Sequence, residues 1–150
     1  MLPEPDELHS ACELPLDRLP RREVLRLDDG YETCVFLHDP CGERVGAPVV
    51  YLHGIQSHPG WFVGSAAALA DAGHAVCQVT RRGSGSNEAD RGHARSAGQL
   101  LQDTEIACRL AAVVAGPRVH LVGVSWGGKL AAAYAAWAGR SVEIASLTLV

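Results

Sequence analysis

The stretch "HLVGVSWGGKL", His120–Leu130, decides how this 150-residue chain is to be read. Gly123 to Gly127 fit G-x-S-x-G, the tight corner on which a serine nucleophile stands between a strand and a helix. Gly123 to Lys129 also fit G-x-x-x-x-G-K, the opening of a phosphate-binding P-loop. Apolar "RVHLVGV" before the serine and small-residue "WGGKLAAAYAAWAG" after it predict a strand running into a helix. Both motifs need that context.

Position 130 separates them. A P-loop places Ser or Thr there to ligate magnesium, and Leu130 offers no ligand. Bulky Val124 and Trp126 also interrupt the backbone that would wrap a phosphate. The corner accounts for more of the same residues. Gly123 and Gly127, two positions either side of Ser125, relieve crowding where strand and helix nearly touch. Gly128 and Ala131 to Ala133 let the helix lie close on a sheet. The backbone N–H of Trp126, at the helix N-terminus, is aimed where an oxyanion would form. Lys129 is then a surface or packing lysine. A corner with an idle serine, and a nucleotide-binding domain, stay open as alternatives.

Working outward, "EVLRLDDGYETCVFLHDPCG" holds two strand-like runs around Asp29-Gly30, a hairpin signal. "PVVYLHG" is a continuous apolar strand of the kind buried on both faces of a parallel sheet. "WFVGSAAALADAG" reads as a helix closed by Gly73, and "HAVCQVT" as another buried strand. Residues 98–115 carry Leu100, Leu101, Ile106, Leu110, Val113 and Val114 at helical spacing. "EIASLTLV" is a last strand. The alternation predicts one α/β domain over 21–150 with a mostly parallel sheet and flanking helices. The acidic, proline-rich residues 1–20 are expected to form an irregular arm.

Net charge is −4 and the pI about 5.9, so no nucleic-acid partner is expected. No run approaches the ~20 apolar residues of a membrane span, and the acidic start is not expected to act as a secretory signal. The five cysteines show no metal-ligand spacing and an odd count, which predicts free thiols and a cytoplasmic location. Neither a metal nor a cofactor is expected.

"YLHGIQSHPGWF" supplies a His-Gly directly after a buried strand, about seventy residues before Ser125. "TRRGSGSN", Thr80 to Asn87, follows the next strand. With these loops in that order, the chain resembles an α/β-hydrolase. More narrowly it resembles the serine aminopeptidase S33 and monoacylglycerol-lipase-like (lysophospholipase) group, whose loop reads D-x-R-G-x-G-x-S. Arg82, Gly83 and Gly85 match that loop, whereas Thr80 stands for its Asp and Asn87 for its Ser. The resemblance implies Ser125 as nucleophile and the backbone N–H groups of Ile55 and Trp126 as the oxyanion hole. It implies that His53 shapes the oxyanion loop rather than acting as base, with His53, Gly54 and Trp126 beside the substrate. His58 and His93 fall in loops on the same edge, either lining a pocket or solvated. Asp103 reads as a helix-surface or capping acid.

In this fold the acid and then the histidine follow the serine in sequence. After Ser125 there is no histidine, and the only carboxylate is Glu143, before the last strand at the opposite sheet edge. Together with the apolar ending "SLTLV", this predicts the amino-terminal half of an α/β-hydrolase, truncated after its sixth strand. The expected function is hydrolysis of an ester or amide, on a small-molecule ester, lipid or peptide-like substrate, by a completed protein. The alternative is a catalytically dead remnant or interaction module on the same scaffold. An open final strand also predicts self-association.

Overall fold

The computed structural model describes residues 14–150, so most of the expected arm over 1–20 lies outside the described residues. Its described end makes a short 3-10 turn, Leu16–Arg18, tied to the domain by an Arg18–Asp71 ion pair. The domain then builds a six-stranded sheet in the order β1-β2-β4-β3-β5-β6. Its strands are β1 (Arg21–Arg26), β2 (Glu32–His38), β3 (Val49–Leu52), β4 (Val76–Val79), β5 (Arg118–Gly123) and β6 (Glu143–Leu149). The hairpin expected around Asp29-Gly30 is present, with β1 and β2 antiparallel and β2 antiparallel to β4. The pairs β3/β4, β3/β5 and β5/β6 are parallel. Three helices serve as crossovers: α1 (Val63–Asp71), α2 (Ala97–Ala115) and α3 (Trp126–Ala136).

Strand alternation sorts the core into two layers. In β3, Val50 and Leu52 join Cys77, Val79, Val119 and Leu121 beneath Ala107, Cys108 and Ala111 of α2 and Ala131 and Tyr134 of α3. The intervening Val49 and Tyr51 face the opposite way, against Ala66 and Ala70 of α1. Helices on both faces are why "VVYL" and "VCQV" are buried at every position. Gln78 is satisfied in that layer at both ends, its Oε1 accepting from His38 Nε2 at 2.9 Å and its Nε2 donating to Pro59 O at 3.1 Å.

The start of α1 differs from the sequence reading. Trp61 and Phe62 belong to a 3-10 turn, Pro59–Phe62, and α1 begins only at Val63. His58 caps that turn, its Nδ1 accepting the Gly60 N–H at 3.2 Å, and Pro59 presets the backbone. The last strand, β6, is one of the two edges of the described sheet, and all its residues but Ile144 are exposed. Cys77 and Cys108 are buried free thiols and Cys41 an exposed one, Cys34 is buried in β2, and Cys12 lies outside the described residues. Burial pushes the thiols of Cys77 and Cys108 up to about 12, so neither ionises near neutrality.

Candidate active site

The loops leaving β3, β4 and β5 meet at the carboxyl edge of the sheet, where α/β domains collect their chemistry. β5 ends at Gly123 and α3 starts at Trp126, so Val124 and Ser125 alone make the turn. Ser125 is forced to φ 53°, ψ −118°, a conformation that L-residues rarely adopt. Hydrogen bonds hold it there: Val124 N–H donates to Leu52 O at 3.0 Å and Gly128 N–H to Ser125 O at 2.9 Å. A side chain at Gly123 would sit 2.5 Å from Gly127 O and 2.6 Å from Gly128 Cα, so strand and helix backbones do touch. Ser125 is exposed at the tip of this corner.

This geometry leaves no phosphate cradle. Gly127 packs against the carbonyl oxygens of Leu52 and His53, which would repel an anion. Lys129 is exposed and Leu130 lies in the core.

The His-Gly loop lies directly against the corner. A Cβ on Gly54 would be 3.3 Å from Ser125 Cβ and 3.4 Å from Val124 O. His53 is 1 % exposed and turned into the loop. Its Nδ1–H donates to Gly54 O at 2.9 Å, which leaves Nε2 to accept the Arg81 N–H at 3.1 Å. Burial, and then the charge of Arg81, pushes its pKa from 6.5 down to about 3, so the ring is neutral. Because the unfolded imidazole takes up a proton first, His53 withdraws stability as pH falls from about 6.5 toward 3. The melting temperature should therefore drop between pH 7 and pH 4. His53→Gln, which has no proton to gain, should flatten that limb, and an unchanged slope would exclude His53 as its source.

A cleft of about 1270 Å³ opens beside the corner, lined by Ile55, His58, Arg81, Ser84, His93 and Trp126 among others. His53 and Gly54 lie behind this lining. Among the described residues, no acceptor takes the backbone N–H of Ile55 or of Trp126.

The loop after β4 is pinned by Arg82, whose side chain is 2 % exposed. It binds Asp103 with both Nε (2.9 Å) and Nη2 (3.0 Å), pairs with Asp29 at 3.0 Å, and stacks 4.2 Å over Tyr31. Asp103 is thus the inward partner of a buried arginine, where the sequence suggests a surface acid. The reason is tertiary: the loop folds back across α2. Asn87, in place of the motif serine, donates to Thr33 Oγ1 at 2.8 Å and Arg81 O at 2.9 Å, closing the loop. Thr80, in place of the motif acid, is buried with its hydroxyl unpaired among the described residues.

Arg81 is the site residue that sequence reasoning missed, visible there only as half of a basic pair. Its Nη2 donates to Gly54 O at 2.6 Å and its Nε to His53 O at 3.2 Å, while its guanidinium lies 4.5 Å over the Trp126 ring.

A mostly parallel sheet between two helical layers, with a strained serine corner against a His-Gly loop, is α/β-hydrolase architecture. The model of the serine aminopeptidase S33 family matches residues 43–149, and the chain belongs to that family. A carboxyl esterase from Bacillus coagulans superposes with a TM-score of 0.71 at 19% identity, over 86% of this chain and 43% of its own. An esterase from Exiguobacterium antarcticum gives 0.68 at 24%, over 87% and 45%. An epoxide hydrolase from Vigna radiata gives 0.68 at 18%, over 91% and 39%. At these identities the likeness is one of fold, and the chain spans about two fifths of the length of these proteins. No curated protein sequence matches the chain significantly. Among the described residues, no helix is long and apolar enough to cross a membrane, and no group of three or more His, Cys, Asp or Glu could hold a metal ion.

Proposed function

We propose that this chain carries the nucleophile and oxyanion half of a serine hydrolase acting on an ester or amide of a small molecule. In this reading Ser125 Oγ attacks the carbonyl carbon, and the Ile55 and Trp126 N–H groups receive the developing oxyanion. Trp126 and Ile55 also wall the cleft in which the substrate lies. One observation supports the reading above others: an exposed serine held at φ 53° with two N–H donors beside it that no described residue claims. Such strain persists only where surrounding structure enforces it, and it gathers at working sites.

A serine hydroxyl needs a base to take its proton. His53 is neutral and occupied at both ring nitrogens, and Glu143 begins β6 opposite Arg118, at the far edge from Ser125. In this reading base and acid come from outside these residues, and full turnover belongs to the completed protein. The chain alone should hydrolyse p-nitrophenyl acetate no faster than its Ser125→Ala variant.

Selective chemistry should survive without the base, because an oxyanion hole and binding alone retain roughly 10³-fold over water in triad-deleted hydrolases. With prolonged exposure to a fluorophosphonate at pH 9, Ser125 Oγ should displace fluoride from phosphorus and lose its proton to solvent. Peptide mapping should find Ser125 modified well ahead of the other serines, with Ser125→Ala blank there. Labelling that does not favour Ser125 would instead mark a non-catalytic scaffold.

A further inference from the structure

We propose that Arg81 is a positioning residue of this site, its guanidinium gripping the Gly54 carbonyl so that the Ile55 N–H is held and polarised toward Ser125. The proposal rests on the reading of Ile55 and Trp126 as oxyanion donors.

Gly54 C=O and Ile55 N–H belong to one planar peptide unit, so whatever orients the oxygen orients the N–H on its opposite side. Three donors converge on that oxygen: His53 Nδ1 at 2.9 Å, Ser57 Oγ at 3.0 Å and Arg81 Nη2 at 2.6 Å. A carbonyl has two lone pairs, so the unit is held from more directions than it needs. The arginine bond differs in kind. Charge-assisted hydrogen bonds are shorter and about twice as strong as neutral ones, and a cation on the oxygen draws electron density from the nitrogen. The amide becomes a better donor to an anion.

The same side chain reaches the other donor. Its guanidinium stacks at 4.5 Å on the ring of Trp126, the residue whose N–H starts α3. Its own backbone N–H is bound by His53 Nε2, so the arginine and the His-Gly loop fix each other. One residue thus ties together the two loops that flank Ser125. Arg82 next to it is neutralised by Asp29 and Asp103, but no carboxylate among the described residues pairs with Arg81. Burial lowers its pKa only to about 10, so it carries an uncompensated positive charge at neutral pH beside the place where the oxyanion forms.

The test compares Arg81→Met, Arg81→Gln and Arg81→Lys in the full chain, by the fluorophosphonate rate at Ser125 and by the ¹H shift of the Ile55 amide. Arg81→Met should slow labelling about tenfold, less than the loss of an oxyanion donor itself, through the maximal rate rather than probe affinity. The Ile55 amide proton should move upfield. Arg81→Lys should recover most of the rate and shift, and Arg81→Gln, a neutral donor, should fall between. If Arg81→Met does not fold, a Lys variant faster than the Gln variant still carries the claim. Equal rates and an unmoved Ile55 amide across the series would overturn it. So would a Lys variant as impaired as Met, since that pattern marks packing alone. If wild-type Ser125 is not selectively labelled, the hydrolase reading fails while the Ile55 shift still decides the role of Arg81.

Discussion

Gly127→Ala should lower the melting temperature of this chain by about 10 °C, read by circular dichroism, if it folds at all. The added methyl would press on Leu52 O and lie 2.5 Å from His53 O. Both are backbone atoms, and β3 is hydrogen-bonded to β4 on one side and β5 on the other. No rotamer change relieves such a contact, so the helix must lift from the sheet and drag the serine corner with it. Overpacking of flexible side chains costs about 1–3 kcal/mol, and a rigid backbone clash belongs at or above the top of that range. For a domain of this size ~3 kcal/mol corresponds to about 10 °C. Gly98→Ala is the matched control. It sits in the exposed first turn of α2, where a Cβ meets only Ser96 Oγ at 3.7 Å. Alanine is the better helix former by up to about 1 kcal/mol, so that variant should melt slightly higher. The same chemical change should thus have opposite signs at the two places.

Arg82→Met should destabilise the chain by about 3 kcal/mol in urea titrations at pH 7. The guanidinium is the cation shared by Asp103 and Asp29, with Asp90 at 3.8 Å. Methionine fills much of the volume, strips Asp103 of its counter-charge and leaves Asp29 only the exposed Arg95 at 3.0 Å, close to the situation that makes breaking a buried pair expensive. The pH dependence identifies the cause. Hydrogen bonding to Arg82 holds the Asp29 carboxyl at about 2, below its ordinary 3.8. Its contribution is complete above about pH 4 and is lost as pH falls through 2. The gap between wild type and Arg82→Met should therefore narrow between pH 4 and pH 2. A gap independent of pH would assign the loss to packing.

Much of the scaffold was legible because it is written locally. The β1–β2 hairpin follows from Asp29-Gly30, the buried strands from unbroken apolar runs, and the corner from glycines two residues either side of Ser125. The contacts that build the site are not local. Arg82 meets Asp103 and Asp29 across 21 and 53 positions, and Arg81 meets Gly54 across 27. No periodicity encodes a pairing at such separations. Even the onset of α1 turned on an interaction outside helix patterning, the His58 cap that makes Trp61 and Phe62 part of a 3-10 turn.

By itself, then, the sequence determined the order of strands and helices, the two-sided burial of β3 and β4, and Leu130 as the residue that denies a P-loop reading. These follow from hydrophobic periodicity and backbone sterics, which act between neighbours along the chain. Only the tertiary structure decided that His53 faces inward as a neutral loop brace. The same is true of Arg81, which bridges the Gly54 carbonyl and the Trp126 ring beside Ser125. Charge and hydrogen bonding depend on what the fold brings within about 3 Å, and the order of residues does not state that distance.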